Sequence, residues 1–514
     1  MRREKSQQHN NNTHYYLAII NNQRSDSSSS ERRYNHFSPV EPYKAAMHFA
    51  IYLALGVLYL PAGAGASVST NLLSNWVGAL KPVLYNQTIL DISFPGSHDS
   101  LTSDLSTVFS GHANDIPPSL AWILHNFGSL VPTVGAFGRS QAKTQGLSIK
   151  EQLESGIRFI DFRIQYTSPK PFSENSTFYC LHFMQSNKPA IEYLKEARAW
   201  LYEHPDEIVI FWISKHGSQC AEQGYAATVE QRRKWWQEVE SVFEGILIDR
   251  VKTPINETSL GHFIDNTKSR VLMYVADYQN MTSNSPHATD SCYIDNRLDG
   301  GVNDEANAYA RQISQFNSSR ADKAQLKKKN TFLLMSMATS AGTELIKDSF
   351  LIHYFQSQKS LLNCAKYLNL PNVTNYCTTT LQALSQLSNY YNQMSLEAAH
   401  VKGYEFPNAI YIGAIDFNGT IRTGTNVFRS TEDSFQGSNG HGTTKYAYVS
   451  TVLLGNLRRV CPGNDKSIMF IDPQFSKDCE FLKSMLNANR ALFPLQTWKD
   501  LNTGRLTDWP MQAT

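Results

Sequence analysis

Between positions 157 and 164 the side chains alternate. Ile160, Phe162 and Ile164 are apolar on one parity, while Ile157, Phe159, Asp161 and Arg163 hold the other. A period of two predicts a strand, and its wholly apolar face suits covering helices, which leaves Asp161 and Arg163 on the inner face. Over 178–183 the same reading groups Phe178, Cys180 and His182 on the inward face, opposite Tyr179, Leu181 and Phe183. Shorter apolar runs predict strands at 88–94, 207–214, 270–277, 331–337 and 408–416. On the last of these Asp416 shares a face with Ile412 and Ala414, as an inward carboxylate would. Helical spacing appears at 147–155, ended by Gly156, and at 189–204, where Ile191, Leu194, Ala197 and Leu201 form one stripe.

Strands that alternate with helices predict a parallel sheet. The expected fold class is α/β, a TIM-type (β/α) barrel that is distorted, with helical insertions between its late strands. A barrel needs eight strands and the pattern places seven. Residues 279–330 are polar and 338–405 largely helical, as over 379–399; both read as insertions at the barrel mouth. A closing helix fits 443–462 through Tyr446, Val449, Val452 and Leu453, which makes 67–462 the barrel and 463–514 a tail of unassigned role.

The first 44 residues are rich in Asn, Gln and Ser and read as a disordered leader. Positions 45–60 are then apolar with only His48 interrupting, and small residues follow from Ala62 to Ser67. Residues 45–66 thus read as a signal peptide, with Met47 as a possible start, or as an uncleaved anchor whose C-terminal side lies outside the cytosol. Either way the barrel is expected to be exported. Sequons at Asn86, Asn175, Asn256, Asn280, Asn317, Asn372 and Asn418 agree with that. All seven cysteines (Cys180, Cys220, Cys292, Cys364, Cys377, Cys461 and Cys479) follow the leader; Cys364 and Cys377 flank a short turn and are the first candidates for a pair. None forms a close Cys-x-x-Cys repeat, so no structural metal is expected.

Net charge is +2, and residues 1–66 carry 7 Lys/Arg and 4 Asp/Glu, leaving 40 against 41 beyond them. A balance this close argues against nucleic acid or a polybasic membrane dock, so specificity must come from a local site. The candidate chemistry is concentrated. Gly96-Ser97-His98-Asp99 follows an apolar run, Asp161-Phe162-Arg163 comes 62 residues later, and His182 lies 19 beyond Arg163. One histidine can take a proton from an attacking hydroxyl while the other gives one to a leaving oxygen. An arginine can hold a phosphoryl group through a planar, two-pronged contact. A buried Asp161–Arg163 ion pair beside a core histidine is the plainer reading of any one strand. Three segments sharing the pattern favour a phosphodiester site.

These residues reach a known family. Phe94-Pro95-Gly96-Ser97-His98-Asp99-Ser100, Arg158-Phe159-Ile160-Asp161-Phe162-Arg163 and Cys180-Leu181-His182 resemble the X domain of phosphatidylinositol-specific phospholipases C, and His204-Pro205-Asp206-Glu207-Ile208-Val209-Ile210 continues the likeness. It is similar to the X-domain-only and bacterial secreted types, strongly over 85–216 and more weakly over 268–278 and 408–418. The resemblance implies His98 as general base on the inositol 2-hydroxyl and His182 as general acid for the diacylglycerol oxygen. It implies Arg163 on the phosphoryl oxygens, with Asp99 and Asp416 supporting the two histidines. A cyclic inositol phosphate would be the product. Asp161, Lys215, Asp277 and Tyr278 are candidate substrate contacts.

Calcium-dependent relatives surround their ion with carboxylates, whereas here Arg163 and Lys215 occupy positions of that kind. Two fixed cations would repel a hard dication, so no metal and no other cofactor are expected. The expected partners are a phospholipid substrate and, transiently, a membrane surface, which Trp235 and Trp236 could touch unless they pack on an outer helix. A catalytically silent headgroup-binding barrel and a glycerophosphodiesterase-type hydrolase are the alternatives. The intact histidine pair disfavours the first and the cations disfavour the second.

Overall fold

The computed structural model describes residues 72–109, 116, 118–127, 131–168, 176–217, 225–298, 305–338, 343–368 and 402–413, with isolated positions between 392 and 456. The leader, the apolar segment 45–60 and the tail lie outside the described residues. So do Asp416 and the side chains of Cys364 and Cys377. Among the described residues no helix is long and apolar enough to cross a membrane, Cys180 is a buried free thiol, and Cys292 is disulfide-bonded.

Eleven strands are described: β1 (Phe94–Ser97), β2 (Leu105–Phe109), β3 (Phe159–Thr167), β4 (Thr177–His182), β5 (Met184–Pro189), β6 (Val209–Ser214), β7 (Val271–Val275), β8 (Thr289–Asp290), β9 (Ile294–Leu298), β10 (Phe332–Ser336) and β11 (Ala409–Ile412). Eight of them pair in parallel in the order β9, β10, β11, β1, β3, β6, β7, β8. Read from β1, this is chain order around a (β/α) barrel. Among the described residues no ladder joins β8 to β9, so the barrel is open there. The fold is α/β, a distorted barrel with a mixed sheet.

Three expectations change. The segment 88–94 holds a 3-10 turn, Ile89–Asp91, and the strand begins only at Phe94. The segment 178–183 supplies β4, which is no barrel strand. It runs antiparallel to the outer half of β3 and continues through β5 to β2 as a ribbon. Its ladder sets Cys180 opposite Ile164 and Phe178 opposite Tyr166, hence with the outward apolar positions of β3 rather than with Arg163. The missing barrel strands, β8 and β9, lie inside 279–330, where an insertion was expected. A 24-residue helix, Glu305–Lys328, follows them.

The core is built from strands buried on both faces, as parallel sheets require. All six residues of β6 are buried. Inside the barrel, Phe159 stacks on Tyr411 at 6.3 Å and on Phe332 at 5.7 Å, with Trp212 and Tyr274 extending the aromatic layer. Gly96 makes room for it. A Cβ there would lie 2.8 Å from the Ile410 carbonyl oxygen and 3.0 Å from Tyr411 Cβ. Because both neighbours are core strand atoms, Gly96→Ala is expected to destabilise the fold by about 1–3 kcal/mol. Denaturant titration would show it as a lower midpoint, and an unchanged midpoint would contradict this packing.

Outside the barrel the helix Ala190–Glu203 buries Leu194, Ala197 and Leu201 of its expected stripe, with Ala190, Tyr193 and Trp200. Trp235 and Trp236 are likewise buried, on the helix Val229–Val242, so they pack rather than face a membrane. The C-terminal residues Tyr448, Val449, Val452 and Leu453 join the same core. At the other pole Arg158, fully buried, forms a 2.6 Å ion pair with Glu207. A separate cluster unites the helices Pro118–Phe127, Val131–Ala142 and Thr343–Phe355 through Leu120, Ile123, Val134, Phe137, Ile346 and Phe350.

Candidate active site

Asp99 is the centre of the site. β1 stops at Ser97, His98 adds one more ladder bond from its N–H to the Ile412 carbonyl, and the chain then turns left-handed at Asp99, with φ 46°. Few non-glycine residues take this conformation; a short acid is among those that tolerate it. The Asp99 N–H donates to Asp161 Oδ2 at 3.0 Å, which fixes the turn and aims the Asp99 carboxylate inward. That carboxylate, with a wholly buried side chain, lies 3.1 Å from His98 Nδ1, 3.5 Å from His182 Nε2 and 2.7 Å from an Arg163 guanidinium nitrogen. Two imidazoles and a guanidinium, far apart in the chain, thus share one negative charge.

These approaches are ionic contacts more than aligned hydrogen bonds. Neither Asp99 oxygen has a hydrogen-bond partner of good geometry, and His98 Nδ1 has none either. Arg163 is held more firmly. Its Nε donates to Asp161 Oδ2 at 3.1 Å, and a terminal nitrogen lies 3.0 Å from His98 Nε2. A guanidinium can only donate, so His98 Nε2 presents its lone pair there, and the ring proton sits on Nδ1 facing Asp99. Gly217, with φ +73°, lies so close to Arg163 that a Cβ would stand 3.0 Å from the guanidinium.

Burial pulls the His98 imidazole down to about 4, with Asp99 opposing and Arg163 assisting. For Asp99 burial acts upward, but Arg163, His182 and His98 outweigh it and hold the carboxyl at about 2. Arg163 is likewise disfavoured by burial, yet Asp161 and Asp99 raise it above its ordinary value. The resting site at neutral pH therefore has a neutral His98, an anionic Asp99 and a cationic Arg163.

His182 arrives by an unexpected route. It ends β4, beyond the residues of that strand that pair with β3. Its Nδ1–H donates to the Ala142 carbonyl at 2.6 Å, at the end of the helix Val131–Ala142. A second ring proton would then sit on Nε2, the nitrogen facing Asp99.

The other candidates divide. Asp161 is fully buried and bonded to Arg163 and the Asp99 N–H, which holds both in place. Lys215 is buried, one residue past Ser214, which pairs with Arg163 across β3 and β6. Asp277 forms an ion pair with Arg232 and accepts from Asn280. The Tyr278 hydroxyl accepts from Arg250 and donates to the Ser285 carbonyl. Neither Asp277 nor Tyr278 makes a hydrogen bond or ion pair with the Asp99 cluster. The parity of β11 is also reversed: Tyr411, not Ile412, faces inward, and its ring stacks on His98 at 5.1 Å and 11°. Burial raises the Tyr411 hydroxyl well above its ordinary range, which keeps it neutral.

His98, Asp99 and Asp161 each offer a possible ligand atom, all within 4.8 Å of one another. The Arg163 guanidinium contacts all three. Among the described residues, a divalent cation would have to sit against a fixed positive charge with three protein donors, where hard dications take six to eight oxygens. This donor set does not fit such an ion.

Residues 132–291 match the family model PI-PLC X. PI-PLC X domain-containing protein 1 of Mus musculus is 31% identical over 156 residues, 30% of this chain and 43% of that protein. PI-PLC X domain-containing protein 2 of Homo sapiens is 27% identical over 158 residues, 30% of this chain and 48% of its own length. The matched stretch thus spans less than half of either relative. A phosphatidylinositol-specific phospholipase C structure from Staphylococcus aureus aligns over 69% of this chain and 95% of its own, at 12% identity and a TM-score of 0.41. Residues 132–291 are thus similar to a PI-PLC X domain, and they lie within an open (β/α) barrel.

Proposed function

We propose that the protein is a phosphoric diester hydrolase that cleaves an inositol phospholipid, or a glycosylphosphatidylinositol-type anchor, by metal-independent acid–base catalysis. The observation that carries this reading is the meeting of His98, His182 and Arg163 around Asp99. In-line displacement at phosphorus needs a base, an acid and a cation, all pre-oriented. His98 Nε2 takes the proton of the inositol 2-hydroxyl as that oxygen bonds to phosphorus. The bond from phosphorus to the diacylglycerol oxygen breaks, and His182 Nε2–H supplies its proton. Arg163 neutralises the phosphoryl oxygens, and Asp99 stabilises the imidazolium that His98 becomes as well as the one that His182 is before it gives up its proton. The product is a cyclic inositol phosphate, and contact with the membrane surface is transient. The sequons and the apolar segment 45–60 support action outside the cytosol.

Two tests follow. Activity on phosphatidylinositol vesicles is expected to survive saturating chelator; complete loss that added calcium restores would instead favour a metal-held, glycerophosphodiesterase-like site. The acid limb of kcat/KM is the second. His98 must be neutral to act as base, and burial holds it neutral down to about pH 4. Since kcat/KM reports the free enzyme, the rate should fall as pH drops through about 4 and not at 6.5. An acid limb at 6.5 that Gln replacement of His98 abolishes would contradict this assignment.

A further inference from the structure

Just past the end of β1 the His98 carbonyl has no ladder partner, and the Ile412 carbonyl, which ends β11 and accepts from the His98 N–H, has a second lone pair to satisfy. The short segment after the helix Val131–Ala142 supplies both partners. Gln145, fully buried, donates from Nε2 to the His98 carbonyl at 2.8 Å and to the Ile412 carbonyl at 2.9 Å. Its Oε1 accepts from the Ile415 N–H at 3.2 Å, one residue before Asp416, and its backbone N–H donates to Thr102 Oγ1 at 3.0 Å. Thr144 adds a 3.3 Å contact from Oγ1 to the His98 carbonyl. Three residues earlier Ala142 accepts from His182 Nδ1.

We infer that Gln145 is a positioning residue for catalysis, standing in for the missing strand partner at the point where the barrel gives way to the reacting groups, and that the segment Ala142–Gln145 sets both histidines from one place. The inference rests on the hydrolase reading for its kinetic consequences only. The amide touches no reacting atom. It fixes where the His98 backbone stops, and therefore where the ring meets Asp99, Arg163, Asp161, His182 and Tyr411. A glutamine suits the task because one head group donates twice and accepts once.

Gln145→Glu puts an oxygen against two carbonyl oxygens, while Gln145→Met keeps the length with neither donor nor acceptor. Val239→Ala, in the core of an outer helix, serves as a stability-matched control. Both Gln145 variants should lower kcat by on the order of 10²-fold with KM little changed, as small misplacement of reacting groups does. The control should keep wild-type kcat at a temperature where all are folded. Independently, ring NMR titration should show His98 moving up from about 4 toward the ordinary imidazole range in both variants. Wild-type kcat together with unmoved His98 titration overturns the inference, as does a kcat loss that the control reproduces. If the wild type cleaves no phosphatidylinositol, the hydrolase reading falls, and the His98 titration alone decides: a shift supports the positioning role and its absence overturns it.

Discussion

Replacing His98 or His182 by alanine is expected to lower kcat on phosphatidylinositol by about 10²–10⁴-fold each, the usual contribution of a positioned acid or base. The double variant should lose little more than the worse single one, because base and acid act on the same displacement and their losses do not add. Folding should be spared. Both rings sit at the partly open mouth, with side chains 16% and 19% exposed, so truncation opens no sealed cavity. Melting curves and kinetics on the same samples check the pair. A variant lacking His182 that still turns over at the wild-type rate would move the chemistry elsewhere, and a wild type that does not turn over would reduce the protein to a headgroup-binding barrel.

The largest stability effect is expected far from the mouth. Arg158 is wholly buried, and its guanidinium donates to Glu207 and to the carbonyls of Leu153, Ile157, Leu73 and Ser74, lying 4.7 Å over the Trp200 ring. Glu207 in turn accepts from the Gly78 N–H in the first turn of the helix Trp76–Leu84, a favourable place for a carboxylate. Arg158→Ala would leave the Glu207 charge unpaired and take a donor from four carbonyls, so a loss of about 3–5 kcal/mol is expected. Burial already pushes Glu207 up, and without its partner that carboxyl should bind a proton on folding. Combining Arg158→Met with Glu207→Gln should be less damaging than Arg158→Ala alone, since no buried charge is then left unpaired. Urea titration of the single and double variants reads both quantities. A single-variant loss under about 1 kcal/mol would mean that water reaches the pair.

What the sequence shows and hides has physical causes. Strands such as β3, β6 and β10 are continuous apolar runs or clear alternations, and their places are legible from burial alone. β8 and β9 are not: they span only Thr289–Asp290 and Ile294–Leu298, and Asp295, Asn296 and Arg297 leave no apolar run to read. Alternation in 178–183 marks a strand correctly but says nothing of its neighbour. Its antiparallel pairing with β3 reverses the faces assigned to Phe178 and Cys180, and His182 reaches the site only because it lies past the paired stretch. Tyr411 was hidden by a parity set from Asp416, and Gln145 carries no local signal because its role arises from two strand ends that meet only in the fold. The meeting of His98, Asp99 and Arg163 was legible, since histidine, aspartate and arginine stand together at the ends of apolar strands in the sequence.

Phosphorus NMR on phosphatidylinositol vesicles with chelator present is the most direct measurement of the central claim. If His98 activates the 2-hydroxyl while His182 protonates the departing oxygen, the first new resonance should be a five-membered cyclic phosphodiester, formed without metal and absent with the variant lacking His182. A monoester appearing first, or no turnover until a divalent ion is added, would contradict it.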